Sequence, residues 1–159
     1  MRLGIVAPLV ESVPPALYGG TERVVHYLTE ALAQFGCDVT LFASGDSRSS
    51  ARLVSCAPRA LRLDPAVRDQ LPHHVAMLRR VVEEADRLDL IHFHIDWLHY
   101  PVFLGRLGKT LTTLHGRLDL PDLKAVYRTY AEAPLVSVSH AQRAPLAGLP
   151  LSWAGTVYH

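Results

Sequence analysis

The chain has 159 residues, 49% of them apolar and 19% charged, with a net charge of +1 at neutral pH. That is enough length for one domain with a real core, and so even a balance of charge gives no footing for nucleic-acid binding. No apolar run reaches the length of a membrane span, the run after Arg2 is too short to read as a signal peptide, and two cysteines exclude a disulfide scaffold. Cys37 and Cys56, in no metal or redox spacing, are expected as small buried hydrophobes. A cytoplasmic location is the default expectation.

Residues 3–7 are uniformly apolar and predict a parallel strand covered on both faces. The connection over residues 8–20 is long for a strand-to-helix loop, and such loops tend to carry function. Val24, Val25, Leu28, Ala31, Leu32 and Phe35 repeat with helical period and predict a helix over 21–35, with Thr21 as N-cap and Gly36 as the residue past its end. Residues 38–43 read as a second strand, ended by Ser44-Gly45-Asp46-Ser47, and residues 52–56 as a third. Asp64-Pro65 predicts a helix start. The helical region continues to about residue 87 and is expected to break at Pro72, with Val75, Leu78, Val81, Val82 and Ala85 buried after the break. Arg59, Arg62, Arg68, Arg79, Arg80 and Arg87 read as solvated helix faces, or as a patch for an acidic membrane surface or acidic acceptor. Further strands are predicted over 90–95, 110–114, 135–138 and from 156 to 158, with a helical segment over 96–107 and a helix over 121–131.

This alternation predicts an α/β fold, a doubly wound parallel sheet of Rossmann-like type with right-handed crossovers. Ligands of such sheets bind beyond the carboxyl ends of strands. On that rule Gly19-Gly20, His94-Ile95-Asp96, His115-Gly116 and Ser139-His140 gather along one edge. Gly19 and Gly20 precede a helix whose first amides lack intrahelical partners and whose dipole is positive there, so a phosphate or diphosphate can approach the backbone. A plain turn using the glycines for positive φ is the other reading. The dinucleotide fingerprint is not met, for want of a third glycine in GxGxxG spacing.

Nine histidines are many for this length. His92 and His94 flank Phe93 and point to one face of a strand, and His99 and His115 are candidates to lie nearby. A zinc site would need HExxH or Cys/His spacing, which is absent. His92, in mid-strand, is expected as a hydrogen-bonded core histidine. His115 sits just past a strand end and is followed by glycine, so it can face a ligand.

The stretch Pro14-Pro15-Ala16-Leu17-Tyr18-Gly19-Gly20-Thr21-Glu22-Arg23, together with Gly36-Cys37-Asp38-Val39-Thr40-Leu41-Phe42-Ala43-Ser44-Gly45-Asp46, resembles the start of family 4 retaining glycosyltransferases of the GT-B fold. Thr113-Leu114-His115-Gly116 is similar to the strand end that supplies a histidine near the donor sugar in that family. Ile91-His92-Phe93-His94 resembles its hydrophobic-His-x-His strand. Val136-Ser137-Val138-Ser139-His140-Ala141-Gln142-Arg143 resembles the next strand and turn, where a serine faces the cleft, and Ser137 and Ser139 both remain candidates. Gly155-Thr156-Val157-Tyr158-His159 looks like the strand that enters the interdomain hinge.

The resemblance implies that residues 1–159 are the single N-terminal, acceptor-side domain of a GT-B enzyme whose nucleotide-sugar-binding domain lies outside this chain. It implies a full-length hexosyltransferase that moves a sugar from a nucleotide-sugar to the hydroxyl of a small-molecule or lipid acceptor with retention, this half alone being inactive. It implies His115 as catalytic, Gly19, Gly20 and Thr21 at the donor diphosphate, and Tyr18, His94, Asp96 and Ser139 at the acceptor. No metal ion and no cofactor is expected, and the arginine patch leaves room for a peripheral membrane contact. The alternative is a non-catalytic ligand-binding or regulatory module using half of the fold. A sugar-nucleotide epimerase on a similar fold is a third reading, against which residues 14–23 argue.

Overall fold

A computed structural model describes all 159 residues, Met1–His159. The strands are β1 (Arg2–Val6), β2 (Asp38–Ser44), β3 (Arg52–Ala57), β4 (Leu90–Phe93), β5 (Thr110–Leu114), β6 (Leu135–Ser137) and β7 (Trp153–Thr156). They form one all-parallel sheet in the order β3-β2-β1-β4-β5-β6-β7, with helices α1 (Gly20–Gln34), α2 (Leu71–Glu84), α3 (Tyr100–Phe103) and α4 (Leu123–Thr129) flanking it. This is the expected doubly wound, Rossmann-like architecture. The chain packs as two compact units, Met1–Ile91 and His92–His159, and the boundary falls within β4.

In the first unit β1 pairs with β2 from Arg2 opposite Asp38 to Val6 opposite Phe42. Ile5, Ala7, Val13, Val25, Val39, Leu41 and Ala43 form a buried cluster, against which Leu28 and Leu32 pack from α1. Each buried Ile, Val or Leu side chain of this cluster stabilises the fold by roughly 1.5–3 kcal/mol, and the alanines by less. Helix α1 starts one residue before the expected N-cap: Gly19, at φ 142°, is the cap, and Thr21 lies inside the first turn with no capping bond. An acid serves instead, since the Glu22 carboxylate accepts the backbone N–H groups of Glu22 and Glu11. The far end is as expected. Gly36, at φ 81°, follows the C-cap Phe35, and the amides of Gly36 and Cys37 donate back to Ala33 and Leu32. Both cysteines are free and only half-buried, which corrects the expectation of full burial.

Helix α2 departs further from expectation. Asp64 begins no α-helix; its carboxylate accepts the Ala66 N–H at 3.0 Å and pairs with Arg59 at 3.3 Å. Pro72 does not break a helix but opens one, in the first turn, where the missing N–H would have had no partner. The buried face is His74, Met77, Leu78 and Val81, continued by Ala85, so Val75 falls off the stripe and is 56% exposed. A buried histidine holds the place that counting apolar residues gives to a valine. Several of the clustered arginines are ion-paired: Arg62 with Glu11, Arg79 with Glu83, and Arg87 with Glu84.

In the second unit β5, β6 and β7 run parallel. The last strand begins three residues earlier than expected and ends at Thr156. Arg143 explains the shift. It donates to the Ser137 hydroxyl at 2.8 Å, to the Gly155 carbonyl at 2.6 Å and to the Thr156 hydroxyl, with its guanidinium 4.5 Å above Trp153. Those contacts favour pairing over 153–156. His99 is fully buried, stacked 3.6 Å from Phe93 and hydrogen-bonded to Thr112. No helix is long and apolar enough to cross a membrane.

Candidate functional site

The loop between β1 and α1 is anchored rather than free. Leu9 and Val13 are fully buried, and the loop's backbone groups find partners along its length, as buried amides and carbonyls must. The Leu9 N–H donates to His74 Nε2 at 3.1 Å, the Val13 N–H to the Ser47 hydroxyl at 2.9 Å, and the Leu9 and Val10 carbonyls accept from Leu61 and Arg62. Because His74 Nε2 accepts, Nδ1 carries the proton and donates to the Gln70 carbonyl at 2.9 Å. Burial and the nearby His73 hold this histidine neutral by lowering its pKa. Nothing in the sequence pattern marks His74, because its partner lies 65 positions away.

The two glycines that end this loop differ. A side chain at Gly19 would place its Cβ 2.7 and 2.9 Å from ring carbons of Pro15, at a φ that L-residues rarely adopt. At Gly20 a Cβ would meet nothing within 4 Å, so the backbone there is open to a ligand. Thr21 follows in the first turn, half-buried, and Tyr18 is 73% exposed with the Arg62 guanidinium 5.0 Å above its ring. Beneath them Glu22 is 4% exposed, and burial raises its pKa against the pull of the Glu22 and Glu11 amides it accepts. Gly19→Ala is expected to destabilise by about 2–4 kcal/mol, combining backbone strain with the clash. Gly20→Ala should stay within about 0.5 kcal/mol of wild type. Urea midpoints check both, and equal losses would contradict the assignment of strain to Gly19 alone.

In the second unit His94, Asp96 and His115 come together. His115 follows the last residue of β5, and its Nε2 shares a hydrogen bond of 2.8 Å with His94 Nδ1. The Asp96 carboxylate accepts the backbone N–H of His115 and lies 3.7 Å from where a Cβ of Gly116 would stand. Asp96 itself is at φ 51°, a left-handed conformation uncommon for a non-glycine residue. Gln142 adds a third grip that the sequence reading missed. Its amide donates to the carbonyls of Leu114 and Gly116, at 2.8 and 3.0 Å, while its oxygen accepts the Val138 N–H. Ser139 accepts the Gln142 N–H at 3.1 Å and so orients the residue that braces His115. Ser137 is fully buried between Thr156 and Arg143, which leaves Ser139 as the more accessible of the two serines.

Burial favours the neutral form of the histidines in this cluster. Burial pushes the His115 pKa down to about 4, helped by His159 and His92, and His159 stacks on it at 5.4 Å. His94 lies well below the usual range because it is buried and flanked by His92, His115 and His159. His92 is also lowered to about 4 by burial and is hydrogen-bonded to Thr113 at 2.7 Å, the core position expected of it. Burial raises Asp96, against the pull of the His115 amide. No three His, Cys, Asp or Glu side chains converge as metal ligands. The cluster therefore offers neutral imidazole and a braced backbone, groups suited to hydrogen-bonding an uncharged polyol.

The sequence model of Glycosyltransferase Family 4 matches residues 18–151. No curated protein matches the sequence. Similar solved structures include a glycosyltransferase involved in avilamycin A biosynthesis, at 22% identity and a TM-score of 0.61, and the sucrose-phosphate synthase of Thermosynechococcus elongatus, at 16% and 0.65. A glycosyltransferase from Rickettsia africae is similar at 17% and 0.60. Each likeness covers 99% of this chain, but the chain spans only 41%, 47% and 42% of those three proteins in the same order. At such identities the structures establish the fold alone, and the match over most of the sequence establishes the lineage: this chain belongs to glycosyltransferase family 4.

Proposed function

We propose that the chain is the acceptor-side half of a retaining glycosyltransferase that moves a sugar from a nucleotide-sugar donor to an acceptor hydroxyl. The observation that carries this reading is the fixation of His115. Its side chain is held by His94, its amide by Asp96, and the carbonyls on either side of it by Gln142. A residue so constrained, kept neutral by burial, is pre-organised to orient a sugar hydroxyl near a reacting carbon. In this reading His115 contacts the donor sugar, and Gly20, with Gly19 and Thr21 beside it, contacts the donor diphosphate. Tyr18 and Ser139 border the acceptor. A second domain supplies the nucleoside site and the cations that neutralise the leaving diphosphate, the largest electrostatic requirement of the reaction. No metal ion or cofactor enters the reading.

The test is release of nucleoside diphosphate by the full-length protein from a panel of nucleotide-sugars. At least one donor should be consumed, and the product should keep the donor's anomeric configuration by NMR. Inverted product, or no donor consumed with any acceptor class, would remove the reading. The loop is tested separately. Gly20→Val should weaken donor binding about tenfold, roughly 1.4 kcal/mol, while leaving the urea midpoint near wild type; unchanged affinity in a calorimetric titration would take the diphosphate away from Gly20.

A further inference from the structure

His94 has a feature that sugar binding at His115 does not use. It is 4% exposed, its Nδ1 is committed to His115, and its Nε2 is buried with no protein partner. A neutral imidazole carries one proton on two nitrogens, so the bond between the rings admits two arrangements. If His115 donates from Nε2, then His94 must carry its own proton on Nε2, leaving a buried N–H with no acceptor. If His94 donates from Nδ1, its Nε2 is only a buried lone pair, and His115 carries its proton on Nδ1. Buried groups that donate are left without partners more rarely than groups that accept, which favours the second arrangement.

We propose that His94 is a positioning residue that fixes the proton of His115 on Nδ1, so that His115 meets its ligand as a hydrogen-bond donor at that atom. The surroundings fit one fixed arrangement. Asp96 holds the His115 amide, and His159 stacks on the outer ring. His92, with rings 4.3 Å from those of His94, has its own Nε2 engaged with Thr113 and does not compete for the pair. The chemistry this selects is an acceptor oxygen on the ligand, such as a sugar hydroxyl lone pair, rather than a hydroxyl proton seeking a base. That last step rests on the reading of His115 as a sugar contact; the proton placement does not.

The test is long-range proton–nitrogen NMR of histidine rings in the uniformly labelled 159-residue chain at pH 7.5, with His115 assigned by the signal lost in His115→Gln. Wild type should show His115 protonated on Nδ1 with Nε2 bare. His94→Asn, whose amide occupies the place of Nδ1 and can donate there, should keep that signature. His94→Asp puts a carboxylate, which only accepts, at the place of the donor and should draw a proton onto His115 Nε2. Protonation of His115 on Nε2 in wild type would overturn the proposal without any variant. So would a bare Nε2 in a folded His94→Asp chain, folding being read from its amide dispersion. Because no sugar is present, failure here is distinct from failure of the transferase reading, which donor consumption decides.

Discussion

On its three most buried histidines alone, lowering the pH from 7.5 to 5.5 should cost this chain up to about 4 kcal/mol of stability, a large share of the roughly 5–15 kcal/mol of a whole domain. The sign follows from the buried histidines. His74, His94 and His99 are 7%, 4% and 0% exposed, and burial depresses the pKa of all three, His99 to about 3. A depressed folded value means that the unfolded chain binds more protons between the two values, so stability rises with pH there and is lost as pH falls. The loss begins near the ordinary histidine value of about 6.5 and continues toward 4, at up to about 1.4 kcal/mol per histidine per pH unit. His92 and His115, both lowered to about 4, act in the same direction. The depressed carboxylates, such as Asp89 at about 2 beside Arg2, enter only below that window. Urea midpoints at the two pH values measure the effect. His74→Gln keeps an acceptor for the Leu9 N–H and should remove one histidine's share of the slope. A flat midpoint between pH 7.5 and 5.5 would contradict the neutral, buried state of these rings.

Replacing His115 with alanine should lower turnover of the complete enzyme at least tenfold, about 1.4 kcal/mol of transition-state stabilisation, and up to a thousandfold if the contact tightens as the leaving group departs. The effect should fall on kcat more than on KM, because a hydrogen bond to the reacting sugar matters most where charge develops. His115→Asn offers an amide near the position of Nδ1 and should retain more activity than His115→Gln, which offers one near Nε2. The alanine variant also leaves His94 buried without its Nδ1 partner, at a cost of about 1–3 kcal/mol. Stability must therefore be measured beside activity, and turnover compared where both proteins are folded. Wild-type kcat in a folded His115→Ala enzyme would remove the residue from the chemistry.

Much of the fold was legible because parallel strands covered on both faces read as plain apolar runs. β1 falls where its uniform apolarity places it, and β2 and β5 lie at the positions expected of them. The misreadings share one physical origin, in that local rules were outweighed by distant partners. The helical pattern on both sides of Pro72 predicts a break there, whereas residues 64–70 are held in turns by Asp64 and Asp69. Val75 lost its buried place to His74, whose ring is needed by the Leu9 amide across the unit. Thr21 has the right chemistry for a cap, yet Glu22 and the unusual φ of Gly19 supply the start of α1. At the site, the residue types at 94, 96 and 115 stood out as polar groups at strand ends. Their mutual bonds did not, because His94 and His115 are 21 positions apart. Gln142 was invisible for the same reason, since a glutamine after a strand carries no signal until the carbonyls it braces, 26 and 28 positions away, are known.

The central claim is that His115 faces the donor sugar. A crystal structure of the full-length protein with an intact nucleotide-sugar, chosen from the donors it consumes, tests this most directly. His115 Nδ1 should lie within hydrogen-bond reach of a sugar oxygen, about 2.7–3.2 Å, with the His94 bond intact behind it. A donor sugar bound away from His115, with that ring left facing solvent, would contradict it.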